Sequence, residues 1–193
     1  MVMDWHTIAG MLSGIILTVI LVPYIASIIK GPTRPNVVSW SGWMMLAGIA
    51  TAIQFAEGAS WSIIIPLITT ISCAIIAAIA VRLGYARFTK LDLACFALGI
   101  LATEFWLLAH QPLLSLLLLM IADSIFTIPT VVKTYRDPFS EPAWLWFLYV
   151  VGASIGIGAS TSYDIYNLLY PVYLVSWAAV LWLLALRGRW KRI

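Results

Sequence analysis

Few residues in this chain could do chemistry. It has two histidines, His6 and His110, two cysteines, Cys73 and Cys95, and eight carboxylates. Both cysteines sit inside apolar runs, which gives neither a disulfide framework nor a metal-ligand cluster. Two distant histidines assemble no Ser-His-Asp set, so the expectation is a protein that is not an enzyme and carries no metal or cofactor. The carboxylates that demand an explanation are those within apolar segments, Asp123 and Glu104. A charge at the centre of a bilayer costs at least ~2.5–3.5 kcal/mol, so such a group is expected to face a cavity or a partner. Asp123 follows Pro112 by eleven positions, which places it roughly 15 Å deep on a helix rising 1.5 Å per residue. It shares a helix face with Thr127 and Thr130. Such an acid can be a protonatable coupling group or a partner for a cationic substrate; the alternative is a buried acid bonded to a neighbouring helix. Glu104 lies roughly 9 Å below the end marked by His110 and either serves function or braces its helix. His110 and His6 are expected to be solvated at one edge.

The elements that hold these groups follow from composition. Hydrophobic residues make up 63% of the 193 and charged residues 10%, against about 45–50% and about 25% in a soluble domain. This excludes an ordinary water-facing globule and a disordered chain. Seven runs are long and apolar enough to span: 5–29, 37–57, 61–82, 91–109, 112–132, 143–162 and 166–186. The predicted class is therefore all-α, a polytopic membrane protein of seven transmembrane helices joined by short connections. The first run is too long for a signal-peptide core, so no cleavage is expected.

Basic residues set the orientation, because they are retained in the cytoplasm. Lys30 and Arg34 follow the first run, Arg82, Arg87 and Lys90 the third, Lys133 and Arg136 the fifth, and Arg187, Arg189, Lys191 and Arg192 the seventh. The alternate connections carry Glu57, His110 and Asp164 but no Lys or Arg. The N-terminus is expected outside and the C-terminus in the cytoplasm, in the plasma (inner) membrane. The net charge of +3 is thus a topology signal and implies no nucleic acid.

The chain also repeats. A shift of 106 places Pro23 on Pro129, Lys30 on Arg136, Pro32 on Pro138, Trp40 on Trp146 and Trp43 on Tyr149. A shift of 105 places Trp61 on Tyr166, Pro66 on Pro171, Ala80 on Ala185, Arg82 on Arg187 and Arg87 on Arg192. This divides the chain into a first triple-helix bundle at 1–86, a linker helix at 87–111 and a second triple-helix bundle at 112–193. A unit with three spans ends on the side opposite its start, and the linker restores the starting side. The two bundles are then parallel repeats.

The three-one-three plan, the outside N-terminus, and a proline in the first helix of each unit followed by a basic residue and a short loop resemble the PQ-loop and SWEET transporter superfamily over nearly the whole chain. The family's Pro-Gln dipeptide stands here as Pro23-Tyr24 and Pro129-Thr130. The resemblance implies a carrier of sugars, cystine or cationic amino acids, or a sorting receptor of the same fold. It also implies a peripheral place for the fourth helix and hence for Glu104.

Other groups are weighed within that frame. Pro23 and Pro129 interrupt helix hydrogen bonding and are read as hinges of an inner gate, with a static kink as the alternative. Pro66 and Pro171 lie in first turns, where proline is tolerated. Trp5, Trp40, Trp61, Trp144 and Trp190 stand at run ends as interfacial anchors. Trp106 and Trp177 are deeper. Trp177 aligns with Ser72, and a ring opposite a small polar residue suits stacking of a substrate. Asn167, with Tyr166 and Tyr170, lies at the outer mouth, as a contact for an entering solute or as an interfacial cap. Gly152, Ser154, Gly156, Gly158 and Ser160, like Ser41, Gly42, Ala47, Gly48 and Ala52, mark closely packed helices, and Gln54 needs a polar partner.

The function expected is a secondary carrier of a small polar metabolite working by alternating access, with proton coupling one form it could take. The alternatives are a non-transporting receptor of the same fold and a vitamin or nucleoside uptake protein with an energising partner. The partners expected are a small-molecule substrate and the bilayer, with a homo-oligomer left open.

Overall fold

The computed structural model describes residues 4–56, 64–160 and 162–190. Glu57, Trp61, Lys191 and Arg192 lie outside them, as do the side chains of Gln54, Tyr166, Asn167, Arg189 and Trp190. Among the described residues every regular element is helical, as composition requires: α1 (Trp5–Val19), α2 (Leu21–Ile29), α3 (Val37–Ala56), α4 (Ile64–Arg82), α5 (Lys90–Leu108), α6 (Pro112–Arg136), a short 3-10 turn (Pro138–Ser140), α7 (Ala143–Gly158) and α8 (Ile165–Trp190). Four stretches are long and apolar enough to cross a membrane: Trp5–Ile29, Lys90–Leu108, Pro112–Arg136 and Leu168–Gly188. Val37–Ile53, Pro66–Arg82 and Ala143–Gly158 are apolar and shorter.

Local chemistry fixes the ends of these helices. Asp4 caps α1 by accepting the Thr7 amide at 2.7 Å, and that bond holds its carboxyl below the usual carboxylate range. Thr89 and Asp92 form a reciprocal capping box on α5, with each side chain accepting the other's backbone N–H. Gly84, at φ 78°, stops α4 with the Tyr85 amide reaching back to the Ala80 carbonyl at 2.9 Å. Pro23 lacks the N–H that Val19 would receive and crowds its carbonyl, and Val19 is where α1 ends. Pro129 stands inside an uninterrupted α6.

The described chain clusters into two compact units, one formed by 1–33 and 134–193, the other by 34–133. The repeat boundaries at 86 and 112 divide the sequence differently. The first unit joins α1 and α2 to α7 and α8, and the second holds α3 to α6.

In the first unit α1 packs on α7 and α7 on α8. A Cβ at Gly152 would lie 2.9 Å from Ile16 and 3.1 Å from Leu17, and one at Gly156 would lie 2.8 Å from Ser13. The small residues of the sixth run thus admit α1, in line with their spacing. The 3-10 turn lies against Gly188 of α8, and Arg187 stacks over Tyr135 at 4.2 Å while donating to the Tyr135 carbonyl.

In the second unit α3 packs on α4 and, more lightly, on α5. Its core gathers Val38, Leu46, Ala102, Ala122 and Phe126. Phe126 enters a slot whose walls are the Cα atoms of Gly42 and Gly99, where a methyl group would come within 2.2 Å and 2.5 Å of the ring. Any side chain at either glycine would close it.

Candidate functional site

Asp123 and Thr127 lie on the buried face of α6, with exposures of 7% and 2%. The Thr127 hydroxyl donates to the Asp123 carbonyl at 2.7 Å, the back-bond a threonine makes within a helix. The same oxygen accepts the indole N–H of Trp43 on α3 at 3.3 Å, and Trp43 meets Trp40 edge to face at 5.1 Å. A carboxylate and a threonine of α6 and an indole of α3 therefore meet inside the second unit. Such a set can bind a cation or a hydrogen-bond donor, or hold a proton.

Of the other residues singled out in the sequence, Trp106 packs partly buried against the core that contains Ala122, one position before Asp123. It is a neighbour of the site through packing. Ser72 precedes Cys73 on α4 and is partly buried. Trp177 and Pro23 belong to the first unit, Trp177 partly buried and Pro23 exposed, and Asn167 lies there in the first turn of α8. Pro129 is fully buried, and the amide that follows it, Thr130 N–H, donates to the Ser39 hydroxyl at 3.3 Å. A neighbouring helix thus serves a backbone group beside the proline. The paired prolines share a sequence position and differ in setting.

The acids divide in a way that hydropathy does not foretell. Asp123 is buried as expected, whereas Glu104 is exposed. Depth along a helix says nothing of which way the side chain points, and Glu104 points away from the seam formed by Asp92, Cys95, Gly99, Ala102 and Thr103.

Two acids at the approaches to helices are buried instead, Asp92 in the first turn of α5 and Glu141 before α7. Asp92, 5% exposed, accepts from Asn36 at 2.8 Å and from the Thr89 hydroxyl at 2.6 Å; Asn36 in turn accepts the Ser39 amide at 3.1 Å. This network ties the starts of α3 and α5. Glu141, 2% exposed, accepts the Tyr24 hydroxyl at 3.1 Å, so the tyrosine that follows Pro23 secures the entry to α7. The capping-box spacing at Thr89 was the available signal for Asp92; for Glu141 there was none, since its partner lies 117 residues away.

Compared with known proteins, the chain matches no family model, no curated protein and no solved structure.

Proposed function

We propose that the protein is a secondary carrier for a small polar metabolite, operating by alternating access, with Asp123 as its coupling or recognition group. The observation that carries this is Asp123 itself: a carboxylate at 7% exposure in the middle of a helix apolar enough to span a membrane, with Thr127 and Trp43 beside it. An acid retained at such cost needs a task, and the indole beside it offers an aromatic face suited to a polar solute. The duplicated landmarks and the three-one-three plan, similar to those of the PQ-loop and SWEET superfamily, support the same reading. So does the basic-residue asymmetry, which orients seven spans with the N-terminus outside. In this mechanism solute binds at Asp123 from the outer side, and bending at Pro23 and at Pro129 opens the inner side to release it. The one-residue break before α2 suits a bend at Pro23.

Counterflow of labelled solute in proteoliposomes tests the proposal, after a thermal-shift screen of sugars, amino acids, nucleosides and vitamins at two pH values identifies a ligand. Asp123→Asn should abolish counterflow, or make it independent of pH while leaving it measurable. Saturable binding with no flux in the wild type would instead assign a receptor. Wild-type flux and pH dependence in Asp123→Asn would remove Asp123 from the mechanism.

A further inference from the structure

The first apolar stretch is held unevenly. Its leading part, α1, packs on α7, with Ser13, Ile16 and Leu17 against the glycines of that helix. Its second part, α2, begins after the break at Ile20 and, among the described residues, packs its backbone closely on no helix but the α1 it continues. Yet Tyr24 and Ile28 of α2 are fully buried. Tyr24 reaches across to Glu141 and donates to its two carboxyl oxygens at 3.1 and 3.5 Å. Glu141 stands on a firm base. The 3-10 turn before it is closed by Asp137, which accepts the Phe139 amide at 3.2 Å through its side chain and the Ser140 hydroxyl at 2.6 Å through its carbonyl. That turn rests on Gly188 of α8, and Pro142, whose ring fixes φ, follows Glu141. A lightly packed segment with a proline near its root thus meets a rigid one through a buried hydroxyl.

We propose that the Tyr24–Glu141 hydrogen bond is a latch. While it holds, α2 lies closed on the entry to α7; when it breaks, α2 swings about Ile20 and Pro23 while α1 stays packed on α7. Inside the protein, parting the two groups costs each a hydrogen bond that water at the inner surface can replace, so the latch opens by a movement that hydrates both ends. The inference rests on the alternating-access reading for its purpose, because that reading needs a bend at Pro23. Tyr24 and Glu141 are positioning residues: they set where α2 lies and act on no solute themselves.

The test uses the full chain in nanodiscs, where both faces are open to solution, on a Cys73→Ala, Cys95→Ala background. Ile28→Cys, at a buried position of α2, reports the swing through its rate of labelling by a charged methanethiosulfonate. Leu181→Cys, at a buried position of α8 in the same unit, reports general loosening. Tyr24→Phe keeps the ring and its space and removes the hydroxyl. It should speed labelling of Ile28→Cys about 5- to 150-fold, the range for one buried hydrogen-bonding group left unmet, and leave Leu181→Cys unchanged. Glu141→Gln, which keeps an acceptor, should label near the wild-type rate, and Glu141→Leu should match Tyr24→Phe. The two together should add nothing to either alone, since each removes the same bond. Equal acceleration at Ile28→Cys and Leu181→Cys would make the pair a brace of the whole unit, and an unchanged rate at Ile28→Cys in Tyr24→Phe would mean that the bond holds nothing; either result overturns the proposal. Labelling needs no solute, so the two readings fail separately. The expected labelling with no counterflow in the wild type would keep the latch and remove the carrier, whereas counterflow with labelling unmoved by Tyr24→Phe would remove the latch alone.

Discussion

Replacing Gly42 by alanine should destabilise the protein more than any other single methyl added to α3, because of what the methyl would meet. Its position lies 2.2 Å from Cγ, 2.3 Å from Cδ1 and 2.7 Å from Cβ of Phe126. Cβ is one bond from the backbone, so no rotamer withdraws it, and α3 or α6 must move. Overpacking of this kind costs typically 1–3 kcal/mol, and a clash with Cβ belongs at about 3 kcal/mol. Phe126→Ala alone would cost about 3–5 kcal/mol in a water-soluble core. Here it should fall at or below the lower figure, because lipid is as apolar as the core and only packing is lost. Phe126→Ala removes the two closest atoms and leaves the 2.7 Å contact. Combined with Gly42→Ala it should therefore recover part of the glycine's effect, giving a coupling of about 1 kcal/mol. Reversible unfolding in mixed micelles of rising SDS fraction, followed by tryptophan emission, measures all four corners of the cycle. Additivity within about 0.5 kcal/mol would mean that Phe126 does not occupy the slot between Gly42 and Gly99, and the core of the second unit as described would be wrong.

Tyr24→Phe leaves the buried Glu141 with one donor fewer, and the same titration should show a loss of about 1–3 kcal/mol, with Glu141→Gln less affected than Glu141→Leu. Asp92→Ala removes the carboxylate half of the α5 capping box and the Asn36 bond; it should cost at least about 1 kcal/mol and speed amide exchange at the starts of α3 and α5 together. Asp4 contributes through its carboxylate, whose pKa in the folded chain is lowered by the Thr7 amide. That contribution is present above the ordinary carboxylate range and is lost as pH falls through it. Exchange at Thr7 should accelerate on acidification, and Asp4→Asn, which caps without titrating, should abolish the pH dependence. Thr127→Val should leave the Trp43 indole N–H without its acceptor and shift tryptophan emission, while Thr127→Ser should preserve it.

What could be read in advance was depth and class; azimuth was not. A run of apolar residues with one aspartate predicts that Asp123 is deep, and the i+4 threonine predicts which residue shares its face; the structure buries both side chains. The same logic set Glu104 beside it, yet the two acids face opposite environments, because the side a helix turns inward depends on which helices it meets. Asp92 and Glu141 fall where runs end and bases cluster, so they look solvated. Their burial comes from Asn36 and Tyr24, contacts between distant segments that no local pattern announces. Pro23 and Pro129 show the same limit. A proline reveals that a backbone bond is missing, while the presence or absence of a Ser39 beside it is a tertiary fact.

The division of the chain into its two compact units has a consequence for biosynthesis. The unit at 34–133 is one continuous segment and can finish packing once Lys133 has left the ribosome. Its companion is discontinuous: α1 and α2 enter the bilayer first, and the helix that α1 packs on begins at Ala143. For the whole of that interval the Ser13, Ile16 and Leu17 face of α1 lacks its α7 partner. Assembly of the nascent chain is thereby ordered, middle before ends. A truncation before α7 would leave an intact central packing with a stranded first helix, the sort of product that membrane quality control degrades.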